Sequence, residues 1–124
     1  AYKDLDKALE GTAEKINVIL LDCLTNMISN IMFEVYDSDW ESVPDDIPGK
    51  IENAVFTEVN KILDFSRTYT GDIIIVSNEV GSGLVPENPL GRYFRDIAGS
   101  MNQIVAAGSD EVYMVVSGIP VKIK

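Results

Sequence analysis

Hydrophobic residues follow two patterns along this chain, short continuous runs and longer runs with helical spacing. Three continuous runs predict buried strands of a parallel sheet, at residues 17–22, 72–77 and 111–117. Before each run, apolar residues three or four positions apart predict a helix, with faces formed by Leu5, Ala8 and Leu9, by Ile51, Val55, Val59, Ile62 and Leu63, and by Leu90, Phe94, Ile97, Met101, Ile104 and Val105. The alternation of helix and strand predicts right-handed crossovers and an α/β fold.

The remaining segments complete one predicted α/β domain over residues 1–124. Residues 24–36 carry apolar side chains at helical spacing and predict a helix directly after the first strand. The stretch 37–49 contains five acids and two prolines, which indicates an exposed loop and not a domain boundary. Residues 117–120 predict a turn into a last short strand at 121–123, antiparallel at the edge of the sheet.

Composition excludes several classes of function. The net charge of −10 argues against binding to nucleic acid or to anionic membranes, whose phosphates need cationic side chains. The longest apolar runs are too short to span a bilayer, and no signal segment opens the chain. One cysteine fits a reducing cytoplasm. The absence of histidine excludes Ser-His-Asp or Cys-His catalysis and histidine-ligated metals within this chain.

Polar residues stand at the ends of the predicted strands, where open α/β sheets bind their ligands. The first strand ends in Asp22, and Thr25 follows shortly after it. An apolar strand that ends in Asp is typical of the acidic motif with which phosphate-loop enzymes hold Mg²⁺ beside a nucleotide. Asp22 and Thr25 are therefore candidates for nucleotide binding, and Asp22 also for Mg²⁺. Asp at a strand end also suits an ordinary turn, so both interpretations stay open here.

The second strand is followed by Asn78, Glu79, Gly81 and Gly83. A carboxylate such as Glu79 can position a hydroxyl nucleophile or a water on a metal. The two glycines would let backbone amides approach a phosphate. The simpler alternative is that Asn78 begins a turn and that Glu79 is solvated. The phosphate-loop motif GxxxxGK[ST] occurs nowhere in the sequence.

The helix predicted after this loop carries a polar stripe opposite its apolar face. Asn88 suits the N-cap of the helix and Pro89 its first turn. The stripe is formed by Arg92, Arg95, Gly99 and Asn102. Two cations beside a glycine gap, in a chain this acidic, indicate an anion or a closely packed neighbour. A solvated face with Arg95 paired to an acid is the alternative.

Together, these segments identify a protein family far more specifically than any one of them does. The stretch NEVGSGLVPENPLGRYFRDIAGSMNQ, the later EVYMVVSGIPVKIK and the earlier VILLDCLTNMISN closely resemble the bifunctional adenosylcobinamide kinase/adenosylcobinamide-phosphate guanylyltransferases of cobalamin biosynthesis. The resemblance implies a three-layer, P-loop-NTPase-like (RecA-like) fold with a mostly parallel sheet. It also implies two reactions, phosphorylation of adenosylcobinamide by ATP or GTP and transfer of GMP from GTP through a guanylyl-histidine, giving adenosylcobinamide-GDP.

The resemblance also implies roles for individual residues. Asp22 matches an acid that contacts the nucleotide, with Mg²⁺ as the expected ion. Glu79, with Arg92 or Arg95, is expected to act catalytically on the substrate phosphate or hydroxyl. The other positions that match the family's motifs are candidates for the substrate side of the site: Asn78, Gly81, Asn88, Asp96 and Asn102.

The sequence lacks three parts that the family carries in its N-terminal segment: the phosphate loop, its lysine and the histidine that accepts GMP. We therefore expect this chain to be inactive by itself. We also expect the strand that feeds the missing loop to lie between those at 17–22 and 72–77. Without it, the chain should associate through the gap or rearrange its sheet. The resemblance further suggests a cytoplasmic homo-oligomer.

Two other functions fit parts of the same sequence. One is a non-catalytic fragment or paralogue that keeps the fold and acts only through association. The other is a phosphate-loop kinase of another small metabolite. The first is distinguished by whether the gene encodes GxxxxGK[ST] and a histidine upstream of Ala1. The second is distinguished by turnover of adenosylcobinamide.

Overall fold

The computed structural model describes residues 3–12, 15–80 and 86–124. The elements within these ranges are α1 (Leu5–Glu10), β1 (Val18–Asp22), α2 (Leu24–Val35), α3 (Ile47–Thr68), β2 (Asp72–Val76), α4 (Pro89–Gly108), β3 (Tyr113–Val116) and β4 (Ile119–Lys122). The four predicted helices are present, and the segment between α2 and α3 has the predicted loop character over residues 37–46.

The core is formed mainly by helices α2, α3 and α4, which pack on one another. The predicted apolar face of α3 is confirmed, since Ile51, Val55, Val59, Ile62 and Leu63 are all buried. In α4, Ile97 and Met101 are buried, and the other predicted positions pack against the core while partly exposed. Complete burial of a large apolar side chain stabilises the folded state by about 1.5–3 kcal/mol, so these helix contacts dominate the fold.

Strands β1 and β2 form a parallel pair along their whole length, from Val18 opposite Asp72 to Asp22 opposite Val76. Leu21 and Ile75 point towards the helical core. The other face carries Leu20, which is 61% exposed, and its partner Ile74, which is 51% exposed. The expectation that these strands are buried on both faces is therefore wrong for the described residues. Their continuous apolar sequence does not alternate, but the helices cover only one of their faces.

The third predicted strand does not join this parallel sheet in the described part of the chain. β3 pairs instead with β4 in a separate antiparallel hairpin, and all of its side chains are exposed. Ser117 and Gly118 connect the two strands with φ of 52° and 78°. Positive φ at both residues of a two-residue loop is the conformation that suits the twist of a hairpin. The antiparallel last strand is thus confirmed, but its predicted place at the edge of the parallel sheet is wrong.

The α/β class is confirmed, with a small parallel sheet and an antiparallel hairpin. Strands β1 and β2 pair directly in a continuous register, which is the rearranged sheet expected as one of two outcomes when the strand that feeds the phosphate loop is missing. The three predicted parallel strands do not occur in one sheet among the described residues. The hairpin turn between β3 and β4 explains in part why β3 is not in the parallel sheet, because it gives β3 a partner strand that immediately follows it in sequence.

Candidate active site

The candidate site lies where the carboxyl ends of β1 and β2 meet. Asp22 is the last residue of β1 and stands in register with Val76, the last residue of β2. The peptide bond between Asp22 and Cys23 is cis. The side chain of Asp22 is exposed, as are those of Ser77, Asn78 and Glu79, which follow β2. Parallel pairing therefore brings the acidic end of one strand beside the Asn-Glu end of the other, as the sequence predicts.

A chain of side-chain hydrogen bonds joins these strand ends to α2 and α4. The Asn78 side-chain amide donates to the Thr25 hydroxyl at 2.9 Å, and Thr25 Oγ1 lies 3.1 Å from Cys23 Sγ. The Asn102 side-chain amide donates to the Asn78 carbonyl at 3.0 Å, and the Ser77 hydroxyl donates to Asn102 Oδ1 at 2.5 Å. We call Thr25, Ser77, Asn78 and Asn102 the strand-end clamp. It connects three separate elements at the candidate site.

Thr25 differs from the other members of the clamp in its burial. It lies in the first turn of α2 and is only 4% exposed. Its hydroxyl accepts a hydrogen bond from Asn78 and lies within hydrogen-bond distance of Cys23 Sγ, a contact in which either atom can donate. These contacts turn the hydroxyl towards protein groups. The sequence pattern suggested nucleotide binding for Thr25, and its buried, satisfied hydroxyl is better suited to holding the strand ends.

The start of α4 is organised by its own side chains. Asn88 is the N-cap, and its Oδ1 accepts a hydrogen bond from the Gly91 amide at 2.6 Å, as its position before Pro89 predicts. The Arg92 guanidinium donates to the carbonyls of Pro86, at 3.2 Å, and Glu87, at 2.7 Å. Arg92 therefore holds the segment that leads into the helix.

Arg95 has a different environment one turn further along α4. Its guanidinium pairs with the adjacent Asp96, with Nη2 3.0 Å from Oδ1. The pair borders an open groove of about 360 Å³ that also includes Gly99, at which an added Cβ would meet no atom within 4 Å. The predicted stripe is thus divided into three local environments. Arg92 binds backbone carbonyls, Arg95 binds Asp96, and Asn102 binds the end of β2.

A second, smaller cavity of about 110 Å³ adjoins the end of β1. Asp22 lines it together with Asn26 and Asn30, which lie one turn apart on α2, and Leu5 of α1 borders it. Sequence reasoning missed these two asparagines. Their spacing of four residues directly after the strand-end Asp22 was the available signal, because that spacing puts both amides on the same side of a helix.

The chemistry of Asp22 is compatible with Mg²⁺ that arrives with a nucleotide. Mg²⁺ usually keeps several waters and takes one or two carboxylates in addition to substrate phosphates. Asp22 supplies one exposed carboxylate at the strand end. Within the described ranges, no group of three or more acidic or cysteine side chains could enclose a metal. The donor set therefore fits an ion shared with a substrate and not a metal cage made only of protein.

Other candidates are less closely connected with the strand ends. Glu79 follows Asn78 directly and is exposed, so it belongs to this edge of the sheet. Asn88 and Arg92 are engaged at the start of α4, and Asp96 is paired with Arg95. Gly81 lies outside the described residues, as does Gly83.

Comparison with known proteins assigns the family. The model of the family described as "Cobinamide kinase / cobinamide phosphate guanyltransferase" matches residues 1–123. This chain belongs to that family.

Three curated relatives match nearly the whole chain. The bifunctional adenosylcobalamin biosynthesis protein CobU of Escherichia coli K12 is 40% identical over 124 residues, which are 99% of this chain and 67% of the relative. CobU of Salmonella typhimurium LT2 is 40% identical over 127 residues, with the same coverage. The bifunctional protein CobP of Pseudomonas aeruginosa PAO1 is 31% identical over 120 residues, 97% of this chain and 61% of the relative. In the part of the chain that the structure describes, no helix is long and apolar enough to cross a membrane.

Proposed function

We propose that this chain forms part of an enzyme with the two activities named for its family. The enzyme phosphorylates adenosylcobinamide with ATP or GTP, and it transfers GMP from GTP to adenosylcobinamide phosphate, giving adenosylcobinamide-GDP. The observation that carries this proposal is the family match over residues 1–123, joined by 40% identity to two proteins named for adenosylcobalamin biosynthesis. The meeting of Asp22 with the Asn78-Glu79 segment at one sheet edge supports it.

The proposed complete fold is the three-layer, P-loop-NTPase-like arrangement that the sequence suggested. Two features support a further layer. The outer faces of β1 and β2 are apolar but exposed, with Val18, Leu20, Ile74 and Val76 all at least 40% accessible. The β3–β4 hairpin exposes apolar side chains as well. Large contiguous apolar surfaces are uncommon on isolated soluble domains and usually face another protein segment.

Asp22 is proposed to hold Mg²⁺ with the bound nucleotide. When bound, Mg²⁺ would neutralise negative charge on the nucleotide phosphates. The carboxylate of Asp22 would fix the position of that charge relative to β1. The two asparagine amides beside it, from Asn26 and Asn30, would donate hydrogen bonds to polar groups of a ligand in the same small cavity.

Glu79 is proposed to position the hydroxyl that receives a phosphoryl group and to accept its proton. Arg95 is the stronger of the two cationic candidates for the substrate phosphate. Its partner Asp96 is exposed, so a phosphate can compete for the guanidinium, whereas Arg92 binds two backbone carbonyls. Asn78, Asn88, Asp96, Asn102 and Gly81 remain proposed for the substrate side, Asn78 and Asn102 through the clamp.

The activities are assayed with the protein expressed from its natural start codon. Adenosylcobinamide, Mg²⁺ and either ATP or GTP are supplied, and the products are separated chromatographically. We expect adenosylcobinamide phosphate with either nucleotide and adenosylcobinamide-GDP with GTP. Phosphorylation of another small metabolite in place of adenosylcobinamide would support the alternative kinase. No turnover of either kind would support the non-catalytic paralogue and contradict the proposal.

The 124-residue chain alone is proposed to be inactive, and a homo-oligomeric, cytoplasmic enzyme is proposed for the complete protein. A calorimetric titration with Mg·GTP compares the short chain with one extended to its natural start codon. Binding only to the extended chain supports a phosphate site in that added segment. Tight binding to the short chain would mean that Asp22 and its neighbours suffice.

A further inference from the structure

We infer that the strand-end clamp is a positioning device that sets the distance between the Asp22 and Glu79 carboxylates, with Asn102 and Thr25 as its two anchors. This inference rests on the proposed function for its catalytic consequence. It assigns to both anchors a role that does not require contact with substrate.

The clamp joins backbone that lies close in sequence to both acids. Asp22 is separated from Thr25 by two residues, and Glu79 follows Asn78 directly. The Asn78 side chain reaches Thr25 at 2.9 Å, which ties the segment after β2 to the first turn of α2. This bond crosses from one strand end to the other, beyond the last backbone pairing of Asp22 with Val76. The Asn78–Thr25 hydrogen bond therefore connects the two strand ends beyond the point where the backbone hydrogen bonds of the sheet stop.

Asn102 holds the same segment from the side of α4. Its amide donates to the Asn78 carbonyl, and its oxygen accepts from the Ser77 hydroxyl. One side chain therefore contacts two successive residues after β2, which restrains both the position and the rotation of that backbone. Glu79 is the next residue. A helix side chain that fixes the preceding peptide limits where the Glu79 carboxylate can lie.

The direction of each hydrogen bond supports one connected network. Asn102 donates to Asn78, and Asn78 donates to Thr25, whose hydroxyl also lies within hydrogen-bond distance of Cys23 Sγ. Thr25 anchors the network because its side chain is buried and packed in the first turn of α2. Hydrogen-bonded networks of this kind act as a unit, so breaking either anchor releases the same segment.

Catalysis depends steeply on such positioning, since a displacement of about 1 Å can cost on the order of 100-fold in rate. Loss of an anchor is therefore expected to lower kcat by about 10- to 100-fold and to leave the KM for nucleotide nearly unchanged. A residue that bound the nucleotide directly would raise that KM. A residue that only stabilised the fold would change neither constant below the unfolding temperature.

The test uses the protein expressed from its natural start codon and four variants. Thr25→Val removes the hydroxyl but keeps the shape, whereas Thr25→Ser keeps the hydroxyl. Asn102→Asp keeps the acceptor for Ser77 but places an oxygen against the Asn78 carbonyl. Ser109→Ala, the control, removes a 2.6 Å hydrogen bond to the Val105 carbonyl at the opposite end of α4. Each protein is assayed for kcat and KM, and its amide hydrogen exchange is measured across residues 77–80.

We expect Thr25→Val and Asn102→Asp to lower kcat, with faster exchange at residues 77–80. Thr25→Ser should recover most of the kcat that Thr25→Val loses, and Ser109→Ala should retain the parental values. If amide exchange at residues 77–80 is unchanged in both Thr25→Val and Asn102→Asp, the strand-end clamp does not restrain this segment and the inference is wrong, whether or not the protein has enzymatic activity. Faster exchange with unaltered kcat overturns the positioning role. If the parent protein has no turnover, the proposed function fails, and the exchange measurement alone decides whether the clamp exists.

Discussion

The side-chain amide of Asn78 donates a 2.9 Å hydrogen bond to the hydroxyl of Thr25, which joins the end of β2 to the first turn of α2. The two residues are 53 positions apart in sequence. Thr25 lies three residues after Asp22 and Asn78 two residues after Val76, the last register pair of β1 and β2. The acidic end of β1 and the Asn-Glu end of β2 are therefore connected by side chains as well as by the sheet.

The close approach at Gly91 predicts different responses of two glycines in α4. A Cβ added to Gly91 would lie 2.7 Å from Pro86 Cβ and 2.9 Å from Asn88 Oδ1, whereas one added to Gly99 would meet nothing within 4 Å. We expect Gly91→Ala to lower the free energy of unfolding by about 1–3 kcal/mol through steric strain. We expect Gly99→Ala to raise it by up to about 1 kcal/mol through helix propensity. Urea unfolding measures both, and equal effects of the two substitutions would contradict the described helix start.

The cap of α4 predicts a loss of stability in Asn88→Ala. This change removes the oxygen that accepts from the Gly91 amide, which leaves a donor of the first turn without its partner. The expected cost is about 1 kcal/mol in the free energy of unfolding. Asn88→Ser is the matched control, because serine is also a good N-cap and should retain most of the stability. Loss of the same size in both variants would indicate that Asn88 acts through something other than its cap.

An ion-pair cluster fixes α1 to α3 and predicts a dependence of stability on pH. Lys61 Nζ lies 2.8 Å from both Asp4 Oδ1 and Glu58 Oε1, and Glu58 is only 7% exposed. Hydrogen bonds from Lys61, and then from Lys7, hold the pKa of Asp4 below its ordinary value of 3.8. The hydrogen bonds with Asp4 and then Glu58 raise the pKa of Lys61.

These directions give the sign of the pH effect. The lowered pKa of Asp4 contributes stability above pH 3.8, and that contribution is lost as the pH falls through its folded-state pKa. The raised pKa of Lys61 contributes below its ordinary value of 10.5 and is lost as the pH rises above it.

Urea unfolding at pH 7 and pH 3 tests the cluster. Lys61→Met should lower stability at pH 7, and the difference from the parent chain should shrink at pH 3. Lys50→Met is the control, since the Lys50–Asp46 pair is exposed on both sides and should contribute less at pH 7. The account of the cluster fails if Lys61→Met costs the same at both pH values.

The exposed apolar face of β1 and β2 predicts that the 124-residue chain binds apolar molecules and associates with itself. Leu20 and Ile74 stand opposite each other in register and both face outwards. We expect this chain to bind a hydrophobic fluorescent dye and to self-associate in light scattering. The double variant Leu20→Lys/Ile74→Lys should reduce both signals. A monomeric parent chain without dye binding would mean that this surface is covered in solution.

Local patterns allowed the helices to be predicted well. Apolar side chains at positions such as Val55 and Val59 repeat with the period of a helix, and that period depends only on neighbouring residues. The cap at Asn88 was predictable for the same reason, because its signal consists of Asn followed by Pro89.

The pairing of the strands could not be predicted in the same way. A run such as EVYMVVS indicates a strand, but its partner depends on parts of the chain distant in sequence. In the structure, the turn at Ser117 and Gly118 gives β3 the following strand as its partner. The contacts of Thr25 and Asn102 with Asn78 could not be predicted from the sequence either, because they form only when β1, β2 and α4 come together.

We propose that Asp22 holds Mg²⁺ with the nucleotide used in both reactions. The most direct measurement is the rate of both half-reactions, as a function of Mg²⁺ concentration, in the protein expressed from its natural start codon and in Asp22→Asn. Asp64→Asn is the control, since Asp64 is an exposed acid on α3 that pairs with Arg67. We predict that Asp22→Asn lowers both rates on the order of 100-fold and that Asp64→Asn leaves them unchanged. Parental rates and Mg²⁺ dependence in Asp22→Asn would contradict the claim.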